Sequence, residues 1–412
     1  MVSITRDFAP PFKLIAPYFI IGTIFYMISN IALFGIDIND ISTHANMSIV
    51  SWAHLFLLGF VMMVIFGAMA QLIPVVLEKG HFSVDLYYLI YPILSIGVLM
   101  MVYGFIYSYV VLSFGGGLVL VAMLIFVFET FLTLKSVAKF DIVAISVVLS
   151  NIFLSIGVVV GLIMALTFAG FISTDVTALL KAHLYLLIGG YVLITIMSFS
   201  YILIPMFGLS HGFSKRPLHV AVGMQSFAVV LVFISSLLDI EILVKVGYFF
   251  SFLSVLIYFY LVYTIDKTRA RKQNDMYIIS LFLAFVFFAI AVVFGALYIF
   301  VGDERYALLS GWLLFVGFIG FMISGHLYKI VPFLVWYERF SPLVGKQKVP
   351  MLGDMVPEKS ANFQIYLTTV GIVLYSFAIF FQSNTLQMAA ASFLSIGSLF
   401  LFKNLMFMIR FR

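Results

Sequence analysis

The sequence predicts an all-α integral membrane protein of about twelve transmembrane helices, and three observations carry that expectation. Of the 412 residues, 64% are hydrophobic and 9% charged, where a soluble globular chain carries about 25% charged residues. Apolar runs of about 20 residues recur, the length an α-helix needs to cross a bilayer, whereas a membrane barrel alternates apolar and polar residues over about 10. One helical pattern also returns three times along the chain.

The runs lie near residues 12–36, 49–77, 84–108, 109–134, 141–170, 178–208, 217–239, 242–265, 276–301, 306–335, 361–383 and 385–408. Each is read as a helix because, in lipid, a spanning segment must pair its own backbone N–H and C=O groups, and a helix does so internally. The third and fourth runs are divided only at Ser108, so a very short connection is expected there. The whole chain reads as one polytopic membrane domain. Met1–Pro11 carries charge without a short apolar core and small-residue cleavage site, so it is not expected to act as a signal peptide. The chain has no cysteine, which excludes thiolate ligands, iron–sulfur clusters and disulfides.

Charge sets the expected orientation. Of 22 Lys and Arg, only Lys181, Lys245 and Arg305 fall on the side opposite the termini. The positive-inside rule then places both termini on the cytoplasmic side, and the membrane is expected to be a bacterial inner membrane. The basic residues sit in short loops at the lipid surface, so the partner they imply is the bilayer and not nucleic acid.

The repeated pattern occupies His54–Pro74, His183–Pro205 and Trp312–Pro332, in the second, sixth and tenth spans. Aligned on the proline, each copy has a glycine fifteen residues earlier (Gly59, Gly190, Gly317). Each has a small residue seven earlier (Gly67, Ser198, Gly325), and His54, Tyr185 and Trp312 stand twenty earlier. The prolines divide the chain into three four-helix pseudo-repeats, about 1–140, 141–270 and 271–412. Small residues at fixed spacing let helix backbones approach closely in lipid, and internal repeats place equivalent helices equivalently.

Polar side chains within such spans are the functional candidates, because burial in lipid is costly. Among seven histidines, His44 lies in the first external loop, and His81, His211 and His219 are expected to be ordinary interfacial residues. His54 and His183 stand near the heads of equivalent helices, and a neutral imidazole there suits haem iron or copper. They precede their prolines by 20 and 22 residues. On an ideal helix two residues turn about 200°, so the two face different neighbours unless a helix carries a bulge. His326, nearer the other end, groups with Gln71, Glu129, Tyr328 and Lys329 as a possible inner polar site for protons, a quinol or a second cofactor. Lys329, Trp336, Tyr337, Glu338 and Arg339 fit an interfacial belt. No phosphate loop, dinucleotide fingerprint or zinc-protease helix appears.

These residues resemble the catalytic subunit I of the haem–copper oxidases. The resemblance rests on twelve spans in three arcs and on Ala53-His54-Leu55 followed by Gly59-Phe60. It rests also on His183-Leu184 followed by Tyr201-Ile202-Leu203-Ile204-Pro205. The NnrS-like membrane proteins, associated with haem, copper and nitric oxide stress, are similar in size and helix count. The resemblance implies that His54 matches the low-spin haem ligand and His183 the copper-holding position. It implies a b-type haem as cofactor, with copper as a second, and quinol or respiratory-complex subunits as partners. The chain departs from that family where the binuclear centre is built. The seventh span lacks an adjacent His pair, the tenth has Trp312 in place of His-x-His, and the fourth residue after His183 is Leu187. The expectation is therefore a haem-binding redox or nitric-oxide-related protein without a complete binuclear centre. A transporter of a small solute or metal, or a non-catalytic accessory subunit of a respiratory complex, are the alternatives.

Overall fold

The computed structural model describes residues 10–38, 45–137 and 140–412; His44, Arg6 and Lys139 lie outside the described residues. Among those described, twelve helices are long and apolar enough to cross a membrane: α1 Phe12–Gly35, α2 Met47–Leu77, α3 Leu86–Tyr107, α4 Tyr109–Leu134, α5 Ile142–Phe168, α6 Val176–Gly208, α7 Arg216–Leu237, α8 Glu241–Lys267, α9 Met276–Val301, α10 Glu304–Arg339, α11 Glu358–Phe381 and α12 Asn384–Arg410. The expected spans are present, and α10 runs four residues further than expected, to Arg339. Aspartate side chains start several of them. Asp141, Asp175, Asp275 and Asp303 each accept a hydrogen bond from backbone N–H groups of the first turn of α5, α6, α9 and α10, the N-cap role for which a short acceptor is suited. The expected break at Ser108 is one extended residue, φ −161° and ψ 106°.

The chain forms two compact units. One comprises 72–273; the other joins 10–71 to 274–412. In the first, α3 and α4 pack backbone to backbone. A Cβ added at Gly104 would lie 2.4 Å from the Leu112 nitrogen, and one at Gly115 would lie 2.7 Å from the Met101 nitrogen. Helix α4 then packs on α5, α5 on α6, and α7 on α8. In the second unit α11 pairs with α12, α12 packs on α1, and α9 lies along α10.

Helices α2, α6 and α10 share an unusual interior. Each starts as α-helix, passes through a π-helical segment (Leu55–Met62, Tyr185–Val192, Leu313–Ile319), and returns to α-helix before its proline. The π segments begin 19, 20 and 19 residues before Pro74, Pro205 and Pro332. A π-helix bonds i to i+5, so it takes in extra backbone per turn and changes which residues share a face on either side.

Each of these helices meets the helix before it in the same register. At Gly59 a Cβ would lie 2.7 Å from the Phe25 ring; at Gly190 it would lie 2.7 Å from the Phe153 Cβ, and at Gly317 2.7 Å from the Phe287 Cβ. Seven residues earlier on the partner helices, Tyr18 stands over Gly67 at 2.6 Å and Ser280 over Gly325 at 2.7 Å, measured to the same built Cβ. Between α5 and α6 the residues at those positions are Ser146 and Ser198, both buried. Each phenylalanine thus occupies the notch that a missing side chain leaves.

This close fit makes a testable demand. Substituting alanine at Gly59, Gly190 or Gly317 should each lower stability in detergent by about 1–3 kcal/mol, the usual cost of overpacking. Pairing Gly317→Ala with Phe287→Ala should cost measurably less than the two single losses combined, because the second change empties the space the first overfills. Additive losses in denaturant unfolding would show that the ring and the notch are not coupled.

Candidate functional site

The π segments lie at the residues the sequence singled out. His54 is the last α-helical residue of α2 before its π segment, and Trp312 holds that place in α10; His183 comes two residues before the π segment of α6. π-Helical turns inside α-helices recur at functional sites. In α6 the segment has a dedicated support. Gln225 of α7 donates from Nε2 to the Gly189 carbonyl at 3.2 Å, and Ser251 of α8 donates to Gln225 Oε1 at 2.9 Å. Gly189 leaves the room, since a Cβ there would sit 3.0 Å from Gln225 Nε2.

The His54 ring is partly buried. Its Nδ1–H donates to the Val50 carbonyl one turn earlier, at 2.7 Å. A carbonyl can only accept, so Nδ1 carries the proton, and a neutral imidazole then holds its lone pair on Nε2. That is the arrangement in which an outer hydrogen bond orients a histidine for a metal. His183 has the same tautomer by a different route. Its Nδ1–H donates across to the Gly157 carbonyl of α5 at 2.9 Å. The ring lies over Gly161, where a Cβ would meet His183 Cε1 at 2.6 Å. Gly157 and Gly161 are thus packing glycines, and what they pack includes this ring.

The contact made by His183 has counterparts. Twenty-two residues before the prolines stand Trp52, His183 and Ser310. Trp52 Nε1–H donates to the Ser29 carbonyl at 3.0 Å, and Ser310 Oγ–H donates to the Ala291 carbonyl at 2.9 Å. Ser29, Gly157 and Ala291 each lie four residues after the phenylalanine that fills the glycine notch. One hydrogen bond across the joint is therefore made three times, by an indole, an imidazole and a hydroxyl. His54 belongs to the other register, with Tyr185 and Trp312. Tyr185 stacks on Tyr248 at 5.1 Å between ring centres. Trp312 stacks on Tyr375 at 4.1 Å and donates from Nε1 to the Ile372 carbonyl at 3.1 Å. Trp52 and Trp312 lie 5.6 Å apart, centre to centre. The expectation that the two histidines face different neighbours agrees with these contacts: His54 bonds its own helix and His183 the helix before.

Of the five residues grouped as an inner polar site, His326 and Lys329 meet around Tyr277. His326 donates from Nδ1 to the Met322 carbonyl at 2.7 Å and lies edge-on to Tyr277, whose hydroxyl is 3.4 Å from Nε2. Lys329 pairs with Asp275 at 2.5 Å and reaches over the Tyr277 ring at 5.9 Å. Tyr328 belongs to another set, donating to Gln364 Oε1 at 3.1 Å and accepting from Asn404 Nδ2 at 2.9 Å. Ser360 and Thr368 extend that set along α11. Gln71 is buried with its Oε1 unpaired.

Within the unit formed by 72–273, Glu129 is the centre of a buried cluster. Its carboxylate accepts from Thr133 Oγ1 at 2.7 Å, His81 Nδ1 at 3.0 Å, the Phe82 N–H at 3.1 Å and Tyr87 Oη at 3.3 Å. The side chains of His81 and Glu129 are both fully buried. His81, expected at the interface as an ordinary residue, instead pins the α2–α3 loop to α4; a loop position gave no sign that its partner lay 48 residues away. His219 is exposed and bonds only locally, to the Lys215 carbonyl, and His211 is exposed. Among the described residues no three His, Cys, Asp or Glu side chains come together in a metal-binding group.

Removing the acceptor at the centre of a buried hydrogen-bond cluster leaves its donors unsatisfied. Glu129→Ala should therefore cost about 1–3 kcal/mol of stability. The double variant with His81→Ala should cost less than the two losses combined. Thermal unfolding of the four proteins measures this, and a negligible loss in Glu129→Ala would show the cluster to be dispensable.

The sequence matches no protein-family model and no curated protein.

Proposed function

We propose that the chain is a membrane haem-binding protein with redox or nitric-oxide-related activity, and that His54 is the axial ligand. The observation that carries this reading is the state of His54. It is an imidazole at the head of a π-helical segment, its proton held on Nδ1 by the Val50 carbonyl at 2.7 Å, and its lone pair on Nε2. The tautomer and the partly buried setting fit the requirements of a haem ligand. A bound b-type haem supplies one-electron chemistry and affinity for diatomic gases. The chain supplies the ligand, its orientation through the Val50 carbonyl, and an apolar wall from Trp52 and Phe56, whose rings stack at 5.6 Å.

His183 shares the tautomer, but its Nδ1–H makes the joint contact that Trp52 and Ser310 make elsewhere. The reading ranks it behind His54 for that reason. Copper is the second candidate; neither histidine has two further His, Asp or Glu side chains beside it among the described residues. The recurring register of the π segments, the phenylalanine notches and the cross-joint hydrogen bonds supports reading the chain as three four-helix pseudo-repeats of the oxidase subunit I type. The same reading keeps both termini in the cytoplasm and takes a quinol or respiratory-complex subunit as electron partner.

The test is optical. Protein expressed with haem supply and purified in detergent should show a Soret band with the reduced α-band of a b-type haem. His54→Ala should remove most of that signal at unchanged yield of folded protein. A wild-type preparation without a Soret band, or a His54→Ala variant that keeps the full spectrum, contradicts the proposal.

A further inference from the structure

Two loops distant in sequence come together at one end of the unit formed by 72–273. The backbone after α6 pairs with the backbone after α8. The Arg271 N–H donates to the Gly208 carbonyl at 3.1 Å, the Ala270 N–H to the Leu209 carbonyl at 3.3 Å, and Ser210 and Arg269 form an antiparallel bridge. Gly208 permits this, since a Cβ there would meet the Arg269 stem at 3.1 Å.

The pairing concentrates positive charge. Lys215 and Arg216 come from the first loop, and Lys267, Arg269, Arg271 and Lys272 from the second, against two acids, Asp266 and Asp275, the latter at the far end of the second loop. Arg269 is the sunken member: its side chain is 11% exposed and its Nε lies 3.5 Å from Asp266. The other five are exposed. Beside the Arg269 stem the Ser210 hydroxyl is buried, 4% exposed, with no hydrogen-bond partner. Helix α7 begins at Arg216 with the positive end of its dipole toward the same loop. Next to these charges the last turns of α6 and α8 present Met206, Leu209, Tyr260 and Tyr263 on the outside, the composition of a membrane–water interface.

Charge balance, a buried hydroxyl beside a sunken guanidinium and an adjoining apolar face together describe a receptor for a phosphate carried on an acyl chain. We propose that this face binds the headgroup of an anionic phospholipid. The phosphate lies against Lys215, Arg216 and Arg271 with Arg269 and Ser210 beneath, and the acyl chains lie along Met206, Tyr260 and Tyr263. The inference is independent of haem binding.

The experiment follows the melting temperature of the purified protein in detergent, with added phosphatidylglycerol, phosphatidylcholine or inorganic phosphate. Phosphatidylglycerol should raise it, the other two should not, and raising the salt from 0.05 to about 0.5 M should remove the increment by screening. Each basic residue near an anionic lipid surface contributes about fivefold in affinity. Lys215→Ala with Arg216→Ala should therefore raise the phosphatidylglycerol concentration needed for a given increment roughly 25-fold. Lys346→Ala with Lys348→Ala, the same charge change in the α10–α11 loop, should leave it as in the wild type. Equal responses to the two lipids, a full response to inorganic phosphate alone, an increment insensitive to salt, or a wild-type response in the Lys215/Arg216 variant each overturn the proposal.

Discussion

The three helices that carry π segments are seated by phenylalanine rings in glycine notches. A transmembrane helix gains little from burying apolar side chains, since lipid is as apolar as leucine, so helix association relies on close packing and hydrogen bonds. Phe25, Phe153 and Phe287 supply the packing against Gly59, Gly190 and Gly317. Trp52, His183 and Ser310 supply the hydrogen bond to the partner helix, a short distance along the same seam. The notch lies inside each π segment. The widened turns of α2, α6 and α10 are therefore held against a neighbour by the ring that the missing Cβ admits, and a backbone departure of this kind persists where its surroundings over-determine it.

This arrangement separates two roles that one residue type had merged. His54 and His183 look alike in the chain: both are histidines at the head of a helix that closes on a proline. In the structure one imidazole is oriented by its own helix and the other ties two helices together. The replacement of His183 by tryptophan and serine at the corresponding points shows what that position needs, which is a hydrogen-bond donor of any shape. At the His54 place in the other two helices, Tyr185 stacks on Tyr248, and Trp312 stacks on Tyr375 and donates to the Ile372 carbonyl.

Much of the architecture was legible in the sequence because the physics that makes it is local. Span number and approximate limits follow from apolar length. The register of the three special helices follows from Pro74, Pro205 and Pro332. The π segments were not legible: LFLLGFVM is as apolar as its flanks, and a change from i+4 to i+5 bonding leaves no compositional mark. The shared joint was hidden because three unlike side chains perform one act of donation. The polar interior was legible only as a set of residues. Glu129, Tyr328 and Lys329 are rightly conspicuous in lipid, but their partners His81, Asn404 and Asp275 are brought to them by tertiary packing.

The central claim is that the ligand is His54 and that His183 is a joint. Haem content per folded chain, by pyridine haemochromogen assay on His54→Ala and His183→Ser side by side, tests it most directly. The account predicts haem retained in His183→Ser, where a hydroxyl can still serve the joint as Ser310 does, and lost in His54→Ala. Loss in His183→Ser with retention in His54→Ala would contradict it.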